Sequence, residues 1–81
     1  MRLKVLLFAY LKDKAGAREA VIDLPSRAVV ADIKPCLALA YPALKPALAN
    51  AIVTLNREFV ADNMPIPEGA EIAIFPPVSG G

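Results

Sequence analysis

The sequence predicts an α+β fold, a mixed sheet with one main helix packed on one face, and three observations lead there. Arg2 to Tyr10 and Arg18 to Leu24 alternate side chains in the manner of half-buried strands. Ile33, Cys36, Leu37 and Ala40 recur at helical spacing. Glu71 to Phe75 alternates again, so strands stand at both ends with a helix between them. At 81 residues the chain makes one domain, too small to bury a deep active-site cavity.

The first strand, Arg2 to Tyr10, places Leu3, Val5, Leu7 and Ala9 on one face. Arg2, Lys4, Leu6, Phe8 and Tyr10 fall on the other, which begins charged and turns apolar. A loop containing Gly16 follows. The second strand sets Ala20, Ile22 and Leu24 against Glu19, Val21 and Asp23, giving a hairpin closed by Pro25-Ser26. Pro35 decides where the helix begins, because a proline is tolerated only in a first turn, where no intrahelical donor is needed. Asp32 at the N-cap satisfies that condition. Pro42 disfavours the helical conformation of Tyr41, so the helix ends there. Pro46 keeps the next stretch irregular or restarts a short turn.

Ala51 to Leu55 and Phe59 to Ala61 are two further strands, joined through Asn56-Arg57-Glu58, where Asn tolerates a tight reversal. Met64 to Glu68 holds two prolines and is loop. In the last strand Ile72 and Ile74 point one way, Ala73 and Phe75 the other. If the first and last strands lie parallel at the centre, Ile72 and Ile74 join Leu3, Val5 and Leu7 beneath the helix. Leu6, Phe8 and Phe75 then meet on the uncovered face. An exposed apolar patch of that kind marks a protein partner, unless residues 42–50 fold over it.

Composition removes most catalytic classes. Hydrophobic residues make up 57% and charged residues 21%, too apolar for a disordered chain. The net charge of +1 offers no electrostatic footprint for nucleic acid. There is no histidine and one cysteine, which rules out a histidine base, a Cys/His zinc site and an internal disulfide. No apolar run approaches the roughly 18 residues of a membrane span. Met1 to Leu11 has the flavour of a secretory leader, but Lys12-Asp13-Lys14 cuts its apolar run short, so the expected location is the cytoplasm. Cys36 is expected in the core, Tyr10 and Tyr41 in packing roles, and Met64 as a filler of the loop. Ser79 has no base on this chain to activate it.

The residues after Phe75 are the most informative. Pro76-Pro77 stop the last strand and stiffen an extended exit, so residues 1–75 read as the domain and 76–81 as a tail. Val78, Ser79, Gly80 and Gly81 reach on the order of 13 Å when extended. Gly80 and Gly81 lack a Cβ, so the terminal carboxylate can enter a channel that any side chain would block. By chance a terminal Gly-Gly arises in about one chain in two hundred.

Ile74-Phe75-Pro76-Pro77-Val78-Ser79-Gly80-Gly81 resembles the ending of the small, sulfur-carrying subunits of molybdopterin synthase, a ubiquitin-like β-grasp family. Lys4 to Ala9, Val30-Ala31-Asp32-Ile33 and Leu55 to Val60 add weaker likenesses in the same order. The chain departs from the family pattern at Ala70, where an Asp is usual, and at Val29, where a Thr or Ser cap is common.

The resemblance implies a β-grasp fold and the following chemistry. A ubiquitin-activating-like adenylyltransferase uses ATP to adenylate the Gly81 carboxylate, and sulfur then replaces an oxygen to give a thiocarboxylate. The tail enters the large subunit of the synthase, where the sulfur attacks cyclic pyranopterin monophosphate. Two rounds build the dithiolene of molybdopterin, in molybdenum cofactor biosynthesis. Phe8, Phe59 and Phe75 are implied as contacts to the large subunit in a heterotetramer, and Lys12 as a pairing partner for an acid there. The chain itself binds no cofactor under this reading, and it is not catalytic alone. Three other readings share the tail: a sulfur carrier for the thiazole of thiamine, a ubiquitin-like modifier joined to lysines through Gly81, and a binding module with an inert end.

Overall fold

The computed structural model of the protein describes residues 1–77. Strand β1 (Arg2–Leu7) pairs antiparallel with β2 (Glu19–Asp23), setting Arg2 opposite Asp23 and Leu6 opposite Glu19. The alternation continues to Tyr10, yet the strand stops at Leu7, because Ala9 adopts φ of +54° and turns the chain out of the sheet. The segment expected as loop then forms a short helix, α1 (Tyr10–Ala15). Leu11, completely buried, anchors it. Gly16, left-handed at φ of +73°, ends it and donates its N–H to the carbonyls of Lys12 and Asp13. Periodicity alone does not show where a ladder stops, and Leu11 fits both a strand and a helix.

Helix α2 (Ile33–Ala40) has the expected limits, with Asp32 at its N-cap, Tyr41 at its C-cap and Pro35 in the first turn. The role of Asp32 differs from expectation. A 3₁₀ turn, Val30–Asp32, precedes the helix, and the Asp32 carboxylate accepts the Val29 N–H at 2.9 Å instead of capping α2. In return the Asp32 N–H donates to the Val29 carbonyl at 2.9 Å. Val29 has no hydroxyl, and its backbone oxygen supplies the acceptor that a Ser or Thr side chain would have offered.

After α2, Pro42–Leu44 make a 3₁₀ turn and Lys45–Leu48 form α3, with Pro46 restarting the helix as a proline can in a first turn. Leu44 and Leu48 point into the core. Residues 42–48 therefore lie on the helical side of the sheet and do not cover its other face.

The hairpin of β3 (Ile52–Leu55) and β4 (Glu58–Phe59) turns on Asn56 and Arg57, at φ of +50° and +68°. Two left-handed residues in a two-residue loop match the right-handed twist of the flanking strands. Strand β5 (Ile72–Phe75) sits in the middle, parallel to β1 and antiparallel to β3. The resulting five-stranded order is β2-β1-β5-β3-β4, the β-grasp arrangement. First and last strands lie side by side and parallel, as the sequence suggested.

Val5 and Ile72 face each other in the register, as do Leu7 and Ile74, and all four are buried with Leu3 beneath Ile33 and Leu37 of α2. Each such side chain contributes about 1.5–3 kcal/mol on burial. The long connection before β5 is tied down: Val30 N–H donates to the Met64 carbonyl, Ala31 N–H to Asp62 and Ile66 N–H to Ala28.

Three side chains stand apart from expectation. Tyr10, expected in packing, is 43% exposed at the start of α1. Met64 remains 38% exposed and fills no gap. Cys36 is half-buried at the margin of the core, its thiol 3.5 Å from the Asp23 carbonyl. It follows Pro35 on the side of α2 that faces the sheet's edge, not its centre. Among the described residues no helix is long and apolar enough to cross a membrane.

Candidate functional site: an aromatic strip on the open face

Strand pairing carries one row of side chains across the uncovered face of the sheet. Glu19 stands opposite Leu6, Leu6 opposite Ala73, Ala73 opposite Thr54, and Thr54 opposite Phe59. Leu6, Thr54 and Ala73 occupy the outward phase of their strands, because their neighbours in sequence pack in or against the core. The register sets Glu19 and Phe59 on the same face. The next row contains Phe8, Phe75 and Ile52, with Phe75 opposite Ile52 in the register. The Phe8 N–H donates to the Ile74 carbonyl at 3.3 Å, extending the β1–β5 ladder one step beyond Leu7.

That step places two rings together. Phe8 and Phe75 stack with centroids 4.5 Å apart and planes 14° from parallel. Stacking of this kind adds about 0.5–1.5 kcal/mol beyond area burial. It fixes the rings without hiding them, for Phe8 remains 40% exposed. Across the strip, Phe59 is 81% exposed on the short β4. Between the stacked pair and Phe59 lies a shallow hollow of about 510 Å³, floored by Leu6, Thr54 and Ala73. Ala73 is nearly inaccessible despite facing outward, because the larger Leu6 and Thr54 flank it in the register.

One side of the hollow is charged but neutral in sum. Arg57 and Glu71 form an ion pair, Nε to Oε1, at 3.4 Å. On the other side, Lys12 from α1 lines a second hollow with Leu6, Phe8 and Arg18. Among the described residues Lys12 has no ion-pair partner.

The sequence singled out Phe8, Phe59, Phe75 and Lys12, and the fold gathers all four at one end of the open face. Leu6 joins them as expected. Thr54, Arg57, Glu71 and Ala73 complete the strip and were not singled out from sequence. The signal for Thr54 was present, since a two-residue turn at Asn56-Arg57 puts Thr54 opposite Phe59. Arg57 and Glu71 needed the tertiary pairing of β3 with β5.

Pro76, half-buried, and Pro77, exposed, continue directly from Phe75. The chain therefore leaves the sheet beside the stacked rings. Val78, Ser79, Gly80 and Gly81, the remaining tail residues named from sequence, lie outside the described residues. The strip offers apolar area and oriented aromatic edges, with no nucleophile and no acid–base pair of its own among the described residues.

Comparison with known proteins gives consistent likenesses. The sequence pattern of the ThiS family matches residues 5–81. A molybdopterin synthase sulfur carrier subunit of Chlamydomonas reinhardtii is 36% identical over 83 residues, covering all of both chains. One from Arabidopsis thaliana is 31% identical over 81 residues, covering 100% of this chain and 84% of its own length. The crystal structure of small archaeal modifier protein 1 of Haloferax volcanii superposes with a TM-score of 0.86 at 32% identity, over 95% of this chain and 98% of that one.

Proposed function

The chain belongs to the ThiS family, and from that footing we propose that it serves as the sulfur carrier subunit of a molybdopterin synthase. In this reading the Gly81 carboxylate attacks the α-phosphate of ATP on an adenylyltransferase of the ubiquitin-activating type, releasing pyrophosphate. A sulfur nucleophile then displaces AMP and leaves a thiocarboxylate. Adenylation is needed because a bare carboxylate has no leaving group. In the large synthase subunit the thiocarboxylate sulfur attacks a side-chain carbon of cyclic pyranopterin monophosphate. The carbon–oxygen bond there breaks as the C–S bond forms, its oxygen leaving with a proton from the partner. Hydrolysis of the resulting thioester link leaves the sulfur on the pterin and returns the carboxylate. Two carriers supply the two sulfurs of the dithiolene.

One observation carries the proposal: the aromatic strip and the root of the tail share one end of the sheet. A partner that seats Phe8, Phe59 and Phe75 receives Pro76-Pro77 in a fixed direction, and Gly80 and Gly81 behind them are narrow enough to thread a channel. Lys12 pairs with a partner carboxylate at the margin. Docking energy comes from the strip and reactivity from the last carboxylate, so acid–base groups are supplied by the partner.

The deciding experiment is intact mass spectrometry of the full chain after co-expression with its adenylyltransferase and a sulfur donor, with fragmentation to place any change. The expected result is exchange of one oxygen for sulfur at Gly81. An unmodified chain, in the presence of an active adenylyltransferase and donor, sinks the proposal. A second reading, a ubiquitin-like modifier, is favoured by the likeness to small archaeal modifier protein 1 over nearly the whole chain. It predicts isopeptide adducts between Gly81 and target lysines, which fragmentation of tryptic peptides detects.

A further inference from the structure

The helical side of the molecule carries a second apolar surface that the proposed carrier chemistry does not use. Ile33 and Leu37 turn the inner side of α2 to the core, which leaves Pro35 and Leu39 on its outer side and Ala38, half-buried, on the flank between. Leu39 is 85% exposed, the most accessible large apolar side chain among the described residues. Pro42 and Lys45 flank it, and the five residues line a hollow of about 500 Å³. A second hollow, of about 310 Å³, adjoins it and shares Pro35, Ala38 and Lys45, with Lys34 at its margin. Together they make one groove between α2 and α3. It is separated from the aromatic strip by the full thickness of helix layer and sheet.

The charge around this groove has one sign. Between Asp32 and Glu58 the chain contains no Asp or Glu, while Lys34 and Lys45 stand at the groove. Among the described residues neither lysine has an ion-pair partner, although Arg2, Lys4 and Arg57 each have one. The surface is thus an apolar trough bounded by two uncompensated cations. Covering Leu39 takes a large apolar side chain out of water, and like-charged margins select against a basic occupant.

We propose that this groove docks a protein segment with apolar side chains along one face and carboxylates beside them, an acidic amphipathic helix. Concavity favours an inserted side chain over a flat bilayer. Two lysines are also too few for stable attachment to an anionic membrane. Because the groove and the aromatic strip face opposite ways, the chain holds such a segment while its tail is engaged elsewhere. The inference does not depend on which chemistry the tail performs.

The test uses the full chain and two synthetic helical peptides that differ only in their flanking residues, Glu in one and Lys in the other, around the same leucine stripe. Amide chemical shifts of the ¹⁵N-labelled chain are followed during titration. The expected result is perturbation at Ala38, Leu39 and Lys45 by the acidic peptide and at least about tenfold weaker binding of the basic one. Lys45→Glu should reverse that preference, and Leu39→Ser should weaken both peptides without altering the fold. Equal binding of the two peptides, or shifts confined to the aromatic strip, overturns the proposal. So does perturbation of the groove by phosphatidylserine-containing vesicles with none from the acidic peptide, which would assign the surface to lipid.

Discussion

Asn56 and Glu71 are joined by two hydrogen bonds. The Asn56 N–H donates to the Glu71 carbonyl at 2.8 Å, and the Glu71 N–H donates to Asn56 Oδ1 at 3.0 Å. The pair locks the β3–β4 turn to the start of β5 and so decides where Phe59 and Arg57 stand relative to Phe75. Asn suits the position twice, because it tolerates the left-handed backbone and supplies the acceptor. Asn56→Ala removes the acceptor and strains the turn, and should cost about 2 kcal/mol in urea unfolding. Asn56→Gly keeps the backbone freedom and should cost about half as much. If the two variants are equally stable, the turn's conformation contributes nothing.

Phe59 and Ile74 separate recognition from folding. Ile74 is completely buried, so Ile74→Ala should lose about 2–5 kcal/mol of stability. Phe59→Ala removes a ring that is 81% exposed, and stability should change by less than about 0.5 kcal/mol. Affinity for the proposed large subunit, measured calorimetrically, should fall by about thirtyfold, as when an aromatic anchor is lost. Unchanged affinity would remove Phe59 from the docking strip.

Ala9 and Gly16 bracket α1 with positive φ and predict opposite responses to exchange. Gly16→Ala puts a Cβ into open space but at φ of +73°, so the change costs about 1 kcal/mol by conformation alone. Ala9→Gly relieves an alanine held at φ of +54° and should raise stability by about 1 kcal/mol, even though glycine loses more freedom on folding. Thermal melts of both variants check the signs. For a domain of this length the shifts should be roughly 4–8 °C.

Cys36 tempts as a sulfur relay, but its half-buried thiol faces the Asp23 carbonyl at the far edge of the sheet. Cys36→Ala should leave thiocarboxylate formation at Gly81 unchanged in the same mass measurement, with stability within about 1 kcal/mol of the parent. Loss of the sulfur-bearing species in this variant would place the thiol in the transfer path.

Much of the architecture was readable because it rests on local rules. Alternation along β1, β2 and β5 decides which residues face the core, and Pro35 with Pro42 brackets α2 from both ends. A tight reversal at Asn56 follows from asparagine's tolerance of left-handed backbone. The expected link through Glu58 is one residue too long, because Glu58 already pairs with Leu55 and β4 runs Glu58–Phe59 instead of Phe59 to Ala61. Phe8 and Phe75 could be placed on one face from their phase alone, once the terminal strands were taken as parallel neighbours. The tail's character came from Pro76-Pro77 and Gly80-Gly81, whose meaning is steric and needs no tertiary context.

Other features depend on contacts between segments distant in the chain. Nothing local says that β1 stops at Leu7, since Ala9 turns out of the sheet only because Leu11 finds a buried place under the helical layer. Cys36 has core spacing on α2 but sits at a margin, because the sheet beneath ends at β2. The Arg57–Glu71 pair and the floor at Ala73 exist only once β5 inserts between β1 and β3. Local sequence decides which way a side chain points; packing decides what it meets, because burial depends on the neighbours that long-range pairing brings to it.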